Sequence, residues 1–210
     1  MEKVLVMVDA GFLSKVSREL GDGHYFKYDL LKFSKDLCGK FGSIFYHLFF
    51  YNAPPYQSTN PNPSQKKRKE DYDSFTSKLG RNDCVTIREG RCQRVKNNGK
   101  YIYKQKGVDT LLTMDLIEIP IEFPKIKQVI LIASDSDFVP VIQRLRKRGI
   151  QVILYTYFDR VRNSNFSRSN ELIKSVNKYL KLKKSDFEDC KLSNSPSHLG
   201  VDIINQTPKK

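Results

Sequence analysis

The sequence predicts an α/β domain with a mainly parallel sheet covered by helices on both faces, and three observations carry that expectation. Short apolar runs stand at residues 3–8, 43–51, 128–133 and 150–155, and they read as strands buried on both sides. Segments with helical spacing lie between most of them, so successive strands need crossovers and run parallel. The length of 210 residues suits one substantial domain better than two.

Residues 3–8 (KVLVMV) form an apolar run ended by Asp9-Ala10-Gly11, which predicts a buried strand. Residues 12–20 read as a short helix closed by Gly21. Residues 29–41 place Leu30, Phe33, Leu37 and Phe41 at helical spacing before Gly42. SIFYHLFFY, 43–51, is an aromatic-rich strand, and its composition leaves core and self-association (a homodimer) both open. Residues 52–65, dense in Pro, Asn and Ser, predict a loop, and 66–80 a helix with a basic start. Residues 85–95 and 100–105 alternate in polarity around Asn97-Asn98-Gly99, which predicts a hairpin. A helix over 108–119 is expected to stop at Pro120. The strand at 128–133 leads to a helix over 138–148 closed by Gly149, then a strand over 150–155. Residues 169–182 read as the last helix. The domain is thus expected to span 1–182, followed by a polar, flexible tail over 183–210.

Composition narrows the function. There are 37 Lys and Arg against 23 Asp and Glu, a formal net charge of +14. Such a surface attracts a phosphate backbone through its field and through counterion release, although solubility alone is the plainer explanation. No stretch predicts a signal peptide or a membrane span. Cys38, Cys84, Cys92 and Cys190 make no CxxC pair, which argues against a zinc knuckle and for reduced thiols in a cytoplasmic protein. With only His24, His47 and His198, a Ser–His–Asp relay has few candidates. GxxxxGK[ST], GxGxxG and GxSxG are absent. An aspartyl phosphatase would want a second acid two residues after Asp9, where Gly11 stands.

Carboxylates recur at informative places. Asp9 follows the first strand, Asp109 opens the helix in KGVDTLLTMDLIE, and Asp135 and Asp137 follow the strand at 128–133. In a parallel sheet, sites gather at the carboxyl ends of strands. Mg²⁺ and Mn²⁺ take oxygen ligands, and convergent aspartates suit them because the ion removes their mutual repulsion. Each acid also has a structural explanation: a turn for Asp9, a favourable helix-dipole position for Asp109, an N-cap for Ser134 or Asp135. One cap does not require all of Ser134, Asp135, Ser136 and Asp137. Asp115 lies six residues beyond Asp109, roughly 240° around a helix, so it is expected to face elsewhere.

VLVMVDAGF, KGVDTLLTMDLIE and LIASDSDFVPVIQRLRKRGIQVILY together resemble the NYN domain family of PIN-like nucleases, over about residues 3–182. The resemblance implies a Rossmann-like three-layer α/β/α fold with a mainly parallel central sheet, here carrying an added basic β-hairpin. It implies a Mg²⁺ or Mn²⁺ site lined by Asp9, Asp109, Asp135 and Asp137, and endonucleolytic cleavage of RNA. Two positions depart from the family pattern: Phe12 stands where an Asn is usual, and Ser134 where a Gly is usual. Losing the Asn removes a group that could position water or phosphate, which would lower activity or alter the substrate.

Basic residues flank these acids in the sequence: Lys66, Lys67 and Arg68, then Arg88, Arg91, Arg94, Lys104 and Lys106. Tyr101 and Tyr103 on the hairpin could stack on bases. Because the hairpin runs into Lys106-Gly107-Val108-Asp109, it is expected to clamp single-stranded or looped RNA beside the acids. The competing expectations are a PIN-like module that binds RNA or a protein without cutting, favoured by Phe12, and a nuclease directed at DNA.

Overall fold

The protein is described here from a computed structural model covering residues 1–159 and 166–192. Strand β1 (Lys3–Asp9) is followed by α1 (Ala10–Leu20), α2 (Leu30–Gly39), β2 (Ile44–Asn52), α3 (Pro63–Leu79) and β3 (Val85–Glu89). A separate ribbon, β4 (Arg91–Asn97) and β5 (Lys100–Lys106), leads into α4 (Val108–Glu122). Then come β6 (Gln128–Ile132), a 3-10 turn (Ser136–Phe138), α5 (Val139–Lys147), β7 (Gln151–Thr156), α6 (Asn170–Ser175), β8 (Lys178–Lys181) and α7 (Lys184–Glu188).

Six strands form one parallel sheet in the order β3-β2-β1-β6-β7-β8. The order reverses between β1 and β6, which makes their carboxyl ends the crevice where such sheets bind ligands. Apolar side chains alternate between two cores. Val4, Val6 and Val8 pack with residues of α1, α2, α3 and α7. Leu5 and Met7 pack with residues of α4, α5 and α6. This is the expected three-layer arrangement, and SIFYHLFFY is an interior strand of it.

Several elements differ in extent from the sequence expectation. The run at 85–95 is two strands, not one. At Gly90 the chain leaves the central sheet, with its N–H donating to the Asn52 carbonyl at 2.8 Å. A Cβ at Gly90 would lie 2.5 Å from the Lys106 carbonyl oxygen, so only glycine fits this close passage. The hairpin itself forms as expected, with Asn98 and Gly99 at positive φ in the turn. Helix α3 starts at Pro63, earlier than expected, because Asn62 and Gln65 build a reciprocal capping box. Helix α4 does not stop at Pro120 but continues through it to Glu122, two residues further on.

The segment expected as one helix over 169–182 is the short α6 followed by β8. β8 is an edge strand whose Lys178 and Lys181 guard its open side. Packed structure also continues past residue 182. In α7, Phe187 is buried against Phe26, Tyr28 and Phe33, with ring centroids 5.3, 5.0 and 5.1 Å away. The remainder of the expected polar tail, from residue 193, lies outside the described residues.

Phe187→Ala should therefore destabilise the fold by about 3–5 kcal/mol, as truncation of a core aromatic does. Denaturant unfolding measures it, and a change below about 0.5 kcal/mol would mean that α7 is not part of the cooperative core.

Candidate functional site: carboxylates at the strand-order reversal

Asp9 ends β1 because a charge cannot continue a strand that is buried on both faces. Its Oδ1 accepts the Phe12 N–H at 3.0 Å, so the same side chain caps α1. Burial pushes the Asp9 carboxyl up from 3.8 to about 6, against the pull of the Phe12 N–H, and Asp109 raises it further. Asp109 stands in the first turn of α4. Its carboxyl is also raised, first by desolvation and then by the charges of Asp135 and Asp137. The Lys15 ammonium acts on both Asp9 and Asp109 in the opposite direction.

Asp135 follows β6, the strand beside β1, and accepts the Asp137 N–H at 2.9 Å to cap the 3-10 turn. Ser134, Ser136 and Asp137 are exposed around it. Asp109 thus shares a field with Asp9 on one side and with Asp135 and Asp137 on the other, while Asp9 and Asp135 also cap the elements that follow them. Among the described residues, no three His, Cys, Asp or Glu side chains are grouped so as to hold a metal ion by themselves. The donor set is nevertheless all carboxylate oxygen. It suits a hard divalent ion that keeps several waters and takes one or two protein carboxylates together with a phosphate.

The remaining candidates divide. Phe12 lies in the core, so only its backbone meets Asp9. Asp115 faces away from the acids: its carboxylate accepts from Arg88 Nε and Nη2 at 3.0 and 3.1 Å and from the Tyr51 hydroxyl at 2.8 Å. Its side chain is 10% exposed, and Arg88 is thereby held in a structural ion pair. On α3, Lys66 is exposed, Lys67 pairs with Asp71 at 2.6 Å, and Arg68 Nε donates to the Ser64 carbonyl at 3.3 Å. The ribbon register places Arg94 on one face, with Lys96, Tyr101, Tyr103 and Gln105. Arg91, Lys104 and Lys106 lie on the other.

Four residues near the site have no motif to announce them: Lys15, Asn52, Tyr56 and Gln105. Gln105 Nε2 donates to Asn52 Oδ1 at 3.1 Å. Asn52 is fully buried, and its Nδ2 has no hydrogen-bond partner. A Cβ built on Gly11 would lie 2.8 Å from Gln105 Oε1 and 3.3 Å from Asp9 Oδ1, so glycine lets the ribbon amide and the acid share this space. In the strand register Asn52 lies one residue beyond the Asp9–Tyr51 pair.

Among the described residues, no helix is long and apolar enough to cross a membrane. The fold is similar to a crystal structure of a protein of unknown function from Vibrio parahaemolyticus, with a TM-score of 0.53 and 19% identity over 89% of this chain and 95% of that one. No curated protein matches the sequence. The profile of the NYN domain matches residues 59–183, a range that holds Asp109, Asp135 and Asp137 and begins after Asp9. That match spans more than half of the chain, and the protein belongs to the NYN domain family.

Proposed function

We propose that the protein is a metal-dependent ribonuclease that hydrolyses RNA phosphodiester bonds, within the strand, at the edge where Asp9, Asp109, Asp135 and Asp137 meet. The observation that carries this reading is the placement of Asp9 at the end of β1, Asp135 just after the neighbouring β6 and Asp109 in the first turn of α4, at the strand-order reversal. Membership of a PIN-like nuclease family supports it. So does the net charge of +14, which suits an RNA partner.

Asp9, Asp109, Asp135 and Asp137 would line a site for Mg²⁺ or Mn²⁺, with one or two of them bound to the ion directly and the others acting through its waters. A bound ion of this kind supplies Lewis acidity at a phosphoryl oxygen and makes water a better nucleophile near neutral pH. The chain's own groups do the rest. The Phe12 N–H donates to Asp9 Oδ1 and fixes the orientation of the carboxylate at the end of β1. Lys15 opposes the negative charge that a phosphate adds beside Asp9 and Asp109. Asn52 and Gln105 fix the amide wall next to Asp9. A module that binds RNA without cutting is the second reading. It is favoured by Phe12, whose buried ring offers no polar group where the family's Asn would stand.

Labelled RNA incubated with Mn²⁺ distinguishes them. Asp135→Asn should cut at least on the order of 100-fold more slowly than wild type, the scale on which groups that stabilise transition-state charge act. Equal cutting by both proteins, or none by either, would remove the enzyme; cutting of single-stranded DNA alone would remove the preference for RNA.

Asp9 also links function to stability. Its folded carboxyl titrates near 6 against an ordinary value of 3.8, so the folded state binds the proton more tightly. The associated stability is full below the ordinary value and is lost as pH rises through about 6. Asparagine keeps the capping oxygen without the charge. In the absence of divalent ions, Asp9→Asn should stabilise the protein at pH 7.5 by on the order of 1–2 kcal/mol, after discounting for solvent screening, with the gain shrinking toward pH 4. Thermal unfolding at the two pH values reads this out, and a destabilised variant at pH 7.5 would contradict the charge conflict.

A further inference from the structure

We propose that one face of the β4–β5 ribbon is a stacking site for unpaired nucleobases, running outward from the acids and built from Arg94, Tyr101 and Tyr103 with Tyr56 from the loop after β2. This deepens, and rests on, the reading of the acids as a nuclease site. The ribbon register places Cys92, Arg94, Lys96, Tyr101, Tyr103 and Gln105 on this face, which carries no carboxylate.

The inner end of the face is Gln105, seated against Gly11 and Asn52 beside Asp9. Moving outward, the Tyr103 ring meets Tyr56 at 5.4 Å. The Arg94 guanidinium lies over Tyr56 at 5.1 Å and over Tyr101 at 4.4 Å. These contacts hold three aromatic rings and one guanidinium against one another on this face, which lowers the entropy a ligand must remove. Tyr101 remains 52% exposed, so a large ring is offered to solvent where the fold has no use for it.

From Gln105 to Tyr101 the strand advances about 14 Å, on the order of four stacked nucleotides. Aromatic rings and guanidinium planes are what single-stranded nucleic acid uses for sequence-tolerant binding, because every base has a flat face. Charge is complementary as well, since Arg94 and Lys96 accompany the rings and no acid opposes a phosphate on this face. A duplex keeps its bases stacked on one another and has no free face to offer. The site therefore selects unpaired strands and feeds them toward Asp9.

The test is binding, measured in EDTA so that cleavage plays no part. Fluorescence anisotropy with labelled RNA and DNA single strands of about ten nucleotides, and with the matching duplexes, compares full-length wild type, Tyr101→Ala and Tyr101→Phe. Tyr101→Ala should weaken single-strand binding roughly fivefold or more in both the RNA and DNA arms. Tyr101→Phe should stay within about twofold of wild type, because stacking needs the ring and not the hydroxyl. Duplex binding should not respond to either change. Wild-type affinity in Tyr101→Ala, equal losses in the Phe and Ala variants, or a loss confined to RNA would each overturn the proposal. Failure here would leave cleavage by the acids intact, and failure of cleavage in the Asp135→Asn comparison would leave this binding result standing.

Discussion

Everything at the site depends on where β1 has to stop. The strand lies between β2 and β6 and is covered on both faces, so its interior residues must be apolar. The first charge in the chain that follows can stand only at the carboxyl edge, and that residue is Asp9. The strand order reverses between β1 and β6, so the loop after β6 emerges beside it and delivers Asp135. Helix α4 then starts close by and brings Asp109 into the same field.

The resulting repulsion is tolerated because each element recovers something from its acid. Asp9 satisfies an otherwise unpaired N–H of α1, and Asp135 does the same for the 3-10 turn. Lys15 offsets part of the charge on Asp9 and Asp109. These local gains hold the carboxylates in place but do not remove the conflict, which is why Asp9 remains raised. Capping and ion binding are compatible uses of the same side chains, since each cap occupies one oxygen and leaves the other. The ribbon completes the arrangement from the other side, with Gln105 packed against the glycine that follows Asp9.

The sheet and the positions of the acids at strand ends and a helix start are legible in the sequence because both follow from short-range rules. Buried parallel strands need unbroken apolar runs, and charges are forced to their ends. What escaped depends on contacts between distant segments. The division of 85–95 into two strands goes with the close passage of Gly90 past Lys106 and Val108, which no alternation of polarity can reveal. The pattern Lys178-Tyr179-Leu180-Lys181 suits a helix face as well as an edge strand, and pairing with β7 decides it. Phe187 lies in a polar stretch and gains its meaning only from the aromatic cluster it meets. Arg88 looked available on a basic strand, but Asp115, 27 residues later, holds it in a bidentate pair. The buried Asn52–Gln105 pair joins the end of β2 to the ribbon across 53 positions, so neither residue stood out.

On the proposed reading, the strand-order reversal gathers these carboxylates into one site for a divalent ion. Crystals grown with millimolar Mn²⁺ test it directly through the anomalous signal of the metal. A peak is expected among Asp9, Asp109 and Asp135. A map with no peak there, or with Mn²⁺ bound only elsewhere on the molecule, would contradict it.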